Sequence, residues 1–163
     1  MMEPKDLLSA DIREHINKWA LRYPADQRRS AVLEALRVVQ ERNGGSLTTE
    51  LMDAVADLLG IPPIAVYEVA TFYSLYFLQP VGRHVVDVCT NISCALNNAE
   101  AVLAHFKQRL GIDLNETTAD GKFTLRAVEC LGACVAAPVC QIGKTYYEKL
   151  TVEKVDDILG KLA

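Results

Sequence analysis

HVVDVCTNISC, residues His84 to Cys94, sets the reading of the whole chain, because FTLRAVECLGAC, residues Phe123 to Cys134, repeats its logic. His84 to Val88 is rich in β-branched residues, whose stiff side chains favour a pleated strand. It delivers the chain directly to Cys89. Phe123 to Val128 alternates in the same way and leads to Cys130. Each predicted strand is thus followed by a pair of cysteines, spaced C-x₄-C at Cys89 and Cys94 and C-x₃-C at Cys130 and Cys134. Two loops leaving the same end of adjacent strands bring four thiolates together without distorting a sheet.

Outward from these strands the pattern continues as β-α-β-β-α. Asn98 is placed to cap a helix carrying Val102, Leu103, Phe106 and Leu110 on one face and ended by Gly111. Val139 to Ile142 and Thr145 to Tyr147 read as a hairpin around Gly143-Lys144, and Thr151 caps a last helix with Val152, Val155, Ile158, Leu159 and Leu162 inward. The expected architecture for residues 80–163 is a small α/β layer with a mixed sheet, of thioredoxin-like type.

Residues 1–79 carry a helical period instead. A first helix is expected from Asp11, with Glu14 completing a capping box, to about Leu21. Pro24 is expected to open a second, ended by Gly44-Gly45. Thr48 or Thr49 caps a third, closed by Gly60, and Pro62-Pro63 starts a fourth that runs to about Tyr73. The fold class is therefore α+β, an N-terminal helical bundle followed by the α/β domain, with the boundary near Gln79-Pro80-Val81-Gly82. Tyr67, Phe72, Tyr73, Tyr76 and Phe77 cluster before that boundary and are expected to pack between the two halves.

Composition limits what the chain does. Half of the 163 residues are hydrophobic and the net charge is −4, so a packed core is expected and nucleic acid receives no electrostatic support. The most apolar stretch, Val69 to Leu78, is too short to span a bilayer, and no direct membrane insertion is expected. The N-terminal segment is acidic and mixed, without a signal-peptide core, and reads as intracellular. All five cysteines lie in the second half. An odd number in a reducing compartment points to metal or redox chemistry rather than to disulfides.

Cys89, Cys94, Cys130 and Cys134 are the candidate ligands. Four thiolates are the standard set for a [2Fe–2S] cluster. A single zinc ion usually takes tighter C-x₂-C turns. A thiol oxidoreductase would call for the C-x-x-C that the chain lacks. Four ordinary buried cysteines, or a zinc-stabilised interaction module, remain the bland alternatives. A dianionic cluster needs N–H donors around its sulfurs. Small residues, the freedom of Gly132 and the side chains of Asn91 and Ser93 are expected to supply them. Cys140 alternates with Ile142 on a predicted strand and reads as a buried, inert thiol. His15, His84, His105 and Glu129 are expected to be structural or solvated. Pro138 precedes a strand, a position where a cis bond is possible.

VATFYSLYF (Val69–Phe77), PVGRHVVDVCTNISC (Pro80–Cys94), DGKFTLRAVECLGAC (Asp120–Cys134) and APVCQIG (Ala137–Gly143) resemble the small [2Fe–2S] subunits of respiratory complex I, the NADH:quinone oxidoreductase. The resemblance runs from about Pro24 to the C-terminus. It implies a thioredoxin-like ferredoxin domain with one [2Fe–2S] cluster on the four cysteines. It also implies an electron-transfer role beside a partner subunit that binds NADH and FMN, and further iron–sulfur subunits in the same complex. Its catalysis would be that of the complex, an NADH dehydrogenase, with no catalytic residue in this chain. Similar subunits in NAD-reducing hydrogenases and NAD-dependent formate dehydrogenases are the alternative branch. The implied location is cytoplasmic, peripheral at the inner face of the bacterial inner membrane, or the matrix side in an organelle. Cys140 departs from the family pattern, which carries an apolar residue there.

Overall fold

The computed structural model describes residues 7–162, so Met1–Asp6, the start of the N-terminal segment, and Ala163 lie outside the described residues. The chain divides into two compact units, Met1–Pro80 and Val81–Ala163.

The first unit is helical: α1 (Ala10–Ala20), a 3-10 stretch (Ala25–Ala31), α2 (Val32–Arg42), α3 (Thr49–Leu59) and α4 (Pro63–Phe72). Ile16, Leu36, Val39, Val55 and Val66 are fully buried at its centre, where each removes an apolar side chain from water. Two expected helix starts are corrected. Ser9, not Asp11, occupies the N-cap of α1 and makes no side-chain cap; its hydroxyl is taken by the Asp11 carboxylate. After Pro24 the chain forms a 3-10 turn rather than α-helix, with Gln27 off helical geometry. The run Asp26 to Ser30 presents no apolar face to anchor an α-helical turn, and α2 begins only where Ala31 and Val32 become buried. Thr48 caps α3 by accepting the Leu51 N–H, as its sequence position predicts.

Two of the clustered aromatics, Tyr67 and Tyr76, pack into the core of this unit. Tyr76 is buried and its hydroxyl donates to the Leu33 carbonyl at 2.7 Å. Tyr67 packs against the same core and bonds to Asp53. Gln40, a buried polar residue, accepts the Phe77 N–H and donates to the Leu75 carbonyl, which pins the segment after α4. Phe72, by contrast, is 79% exposed.

The second unit holds β1 (His84–Cys89), α5 (Ile92–Leu96), α6 (Ala99–Leu110), β2 (Phe123–Val128), a 3-10 turn (Cys134–Ala136), β3 (Cys140–Ile142), β4 (Thr145–Tyr147) and α7 (Val152–Leu162). The sheet order is β2-β1-β3-β4. β1 and β2 run parallel, and the other pairs are antiparallel. This is the expected mixed sheet. Val86, Val88, Leu125, Cys140 and Ile142 pack against Val102 and Phe106 of α6 and Val155, Ile158 and Leu159 of α7. Both helices therefore cover one face. Strand alternation puts Asp87, Arg126 and Gln141 on the other, in one register row. Burial pushes the Asp87 carboxyl up and the Arg126 guanidinium opposes that shift. His84 packs its ring on Phe123, centroids 5.4 Å apart.

Sequence reading missed α5, five residues too short to show a helical period. Asn98 precedes α6 as expected but caps it without its side chain, in the left-handed region.

Gly82 marks the closest backbone approach. A Cβ there would sit 2.7 Å from the Phe123 carbonyl carbon and 2.8 Å from its nitrogen, while the Gly82 N–H donates to Thr124 Oγ1. The backbone of β2 has no means of yielding as a side chain does. Gly82→Ala is expected to destabilise the second unit by about 3 kcal/mol, read as a lowered thermal midpoint; an unchanged midpoint would show that the crossing is not tight.

Candidate metal centre

Parallel pairing carries the cysteine loops to one end of the sheet. Cys89 is the last residue of β1 and pairs with Val128, the last residue of β2. Cys130 follows two residues on. Thr90 N–H donates to the Val128 carbonyl at 3.0 Å, and Cys89 N–H to the Val139 carbonyl at 3.1 Å, so the loop starts are tied to each other and to the chain entering β3. Cys94 sits on α5, whose N-cap Asn91 accepts the Ile92 N–H with its side chain. That bond uses the Asn91 Oδ1 acceptor. The helix turns Cys94 back toward Cys89.

Cys89 and Cys94 are buried, and Cys130 and Cys134 are exposed. Cys89 and Cys94 lie among Ala99, Ala136 and Val139. Among the described residues, no three His, Cys, Asp or Glu side chains are gathered tightly enough for a single metal ion. The sulfurs are related through shorter links. Cys89 and Cys94 are close enough that each thiol shifts the other's titration, and a thiolate at Cys134 would raise Cys94 further. The loop bearing Cys130 passes Cys89, whose sulfur lies 3.9 Å from the Glu129 carbonyl oxygen.

Backbone amides surround this group. Burial raises the Cys89 thiol, but the amide of Asn91, the Cys94 thiol and the amide of Leu131 outweigh it and hold Cys89 below the ordinary thiol range. Burial and the neighbouring Cys89 raise Cys94, against the Val139 amide. Gly132 N–H donates to Cys130 Sγ at 3.3 Å, with Gly132 at φ +72°, a conformation that costs glycine little. Tyr146 hydroxyl anchors the same loop through the Leu131 carbonyl at 3.1 Å. The segment after the second pair is held by Lys149 N–H on the Ala136 carbonyl and Leu150 N–H on that of Pro138. The Ala137–Pro138 peptide is cis.

The remaining candidates fall outside the group. Cys140 is fully buried, and burial with the nearby Asp87 pushes its thiol up to about 12. It is an inert core residue at neutral pH. His15 bonds to Glu34 and His105 to Asp156. Glu129 is exposed. N–H donors around the sulfurs were expected, but that they are the amides of Asn91, Leu131 and Val139 was not legible in sequence, since a backbone N–H carries no residue signature.

A donor set of soft sulfurs, fringed by N–H groups that favour negative charge, fits an anionic iron–sulfur cluster. Known proteins with similar sequences agree. A family model described as thioredoxin-like [2Fe-2S] ferredoxin matches residues 16–163. The chain is 43% identical over 157 residues to an NADH-quinone oxidoreductase subunit of Rickettsia conorii, spanning 96% of this chain and 92% of that one. It is 45% identical over 148 residues to the corresponding NADH-quinone oxidoreductase subunit of Rhizobium meliloti, spanning 91% and 86%. Its fold is similar to part of an NAD+-reducing [NiFe]-hydrogenase chain, with a TM-score of 0.67 at 19% identity over 78% of this chain and 22% of that one. The chain belongs to the thioredoxin-like [2Fe–2S] ferredoxin family, within the group of small subunits of NADH-quinone oxidoreductases.

Proposed function

We propose that Cys89, Cys94, Cys130 and Cys134 hold one [2Fe–2S] cluster and that the chain transfers electrons as the small iron–sulfur subunit of an NADH-quinone oxidoreductase. The observation that carries this reading is the delivery of two cysteine pairs to one end of parallel strands, with backbone amides aimed at the sulfurs. When bound, the cluster supplies a one-electron couple. The residues of this chain supply its holder. Cys89 and Cys94 are fixed by β1 and α5. Cys130 and Cys134 lie on a loop restrained by Gly132 and Tyr146, on the solvent side where an electron enters or leaves.

The electron donor in this reading is a partner subunit that carries FMN and binds NADH, with further iron–sulfur subunits beyond it. No helix among the described residues is long and apolar enough to cross a membrane, and we place the chain peripherally, at the inner membrane face through its complex. Residues 1–79 act as the bracket that docks the second unit onto the flavin subunit. The hydrogenase alternative has only likeness of fold at 19% identity, against 43% to 45% for the NADH-quinone oxidoreductase chains.

Metal and sulfide analysis of anaerobically purified protein tests this reading. Two irons and two sulfides per chain are expected, with a brown colour. Stoichiometric zinc without sulfide would replace the electron carrier with a zinc-stabilised module.

A further inference from the structure

We propose that the Asp87–Arg126 ion pair trims the reduction potential of the cluster from behind Cys89. This inference rests on the cysteine assignment above and adds two residues that lie on the strands, outside the cysteine loops.

The placement follows from the sheet. Asp87 on β1 is directly across from Arg126 on β2, and two residues later Cys89 is across from Val128. Period-two alternation puts Asp87 and Cys89 on the same side of the sheet, about 7 Å apart along the strand. The two side chains face each other, with Arg126 Nε 3.4 Å from Asp87 Oδ1. Both are shielded, at 14% exposure for Arg126 and 24% for Asp87. Asp87 Oδ1 itself is buried and accepts no hydrogen bond. Gln141, across from Asp87 on the other side, turns its amide to the Gly143 carbonyl instead.

A carboxylate in this position would ordinarily be destabilised by burial. The cation across the strand recovers part of that cost, and the carboxylate and guanidinium together present nearly balanced charge to the centre. Reduction adds one negative charge at the cluster. A cation nearby favours that step and an anion opposes it. Shielding from solvent weakens screening, so at about 10 Å and an effective dielectric of about 20 an unbalanced unit charge shifts the one-electron equilibrium roughly tenfold. That is about 59 mV for a one-electron couple. The pair therefore holds the potential between two extremes that either single substitution exposes.

The test is a potentiometric titration of the full chain with dithionite and redox mediators, after iron and sulfide have been measured in each variant. Asp87→Asn leaves Arg126 unbalanced and is expected to raise the potential by about tenfold in equilibrium constant. Arg126→Gln is expected to lower it. Arg126→Lys, which keeps the charge, and the double variant Asp87→Asn with Arg126→Gln should both return close to wild type. Shifts of one sign in both single variants, as a general loosening of the sheet would give, overturn the inference, and so do flat potentials. Should Asp87→Asn fail to load iron, equal potentials for Arg126→Gln and Arg126→Lys overturn it alone. A wild-type chain without iron on its cysteines defeats the cluster assignment, whereas a loaded wild type with unresponsive variants defeats only this inference.

Discussion

Replacing any one of Cys89, Cys94, Cys130 or Cys134 with alanine is expected to abolish or severely deplete the cluster, while Cys140→Ala leaves iron and sulfide at the wild-type level. The two classes differ in place rather than in residue type. Cys89 ends β1 with N–H groups around its sulfur, Cys94 is held beside it on α5, and Cys130 accepts the Gly132 N–H on the facing loop. Cys140 points into the apolar layer under α6 and α7, where its thiol stays protonated at neutral pH. Losing one thiolate leaves an iron without one of its protein ligands, and water is a poor replacement for sulfur at such a centre. Cys140→Ala removes only a small apolar volume, at a cost of about 1 kcal/mol. Iron and sulfide content of the five variants is the measurement. Full content after loss of Cys130 would remove the ligand assignment.

The second large effect concerns the helical unit. Residues 80–163 expressed alone are expected to assemble the cluster yet bind the flavin-bearing subunit much more weakly than the full chain. The first unit has its own hydrophobic core and the second has another, and all candidate ligands lie in the second. The helical unit also leaves Phe72, Ile64 and Leu21 largely exposed, and large apolar side chains on a surface favour protein contact. Electron transfer between flavin and cluster requires a short distance, which a lasting contact through the helical unit would secure better than a transient encounter. Co-purification of both forms with the partner subunit reads the difference. Equal retention would show that the docking surface lies in residues 80–163.

Strands were the legible part of this fold. β1 and β2 are built from β-branched or alternating residues, and their ends fall at the cysteines because the sequence places polar, small residues immediately afterwards. The helices α3, α4, α6 and α7 were equally legible from capping residues, Pro63 and terminal glycines. What failed were features decided by a few competing bonds. The first helix started at Ser9 rather than Asp11, whose carboxylate bonds the Ser9 hydroxyl, the exposed run after Pro24 tightened into a 3-10 turn, and α5 was too short for periodicity to register. At the centre, the four cysteines were readable by spacing, whereas the amides of Asn91, Leu131 and Val139 became visible only once tertiary structure brought them to sulfur. The aromatic residues before residue 80 illustrate the same limit. Their clustering in sequence was plain, but the division between buried Tyr76 and exposed Phe72 depends on how the chain turns after α4.

A single [2Fe–2S] centre that takes one electron is the property on which the chain's role depends. Stoichiometric reduction of the anaerobic full-length protein with dithionite, followed by EPR, measures that directly. One electron per chain is predicted, together with two irons and the reduced-state signal of a two-iron cluster. Iron near four per chain with a [4Fe–4S] signal, or a protein that takes up no electron, would contradict it.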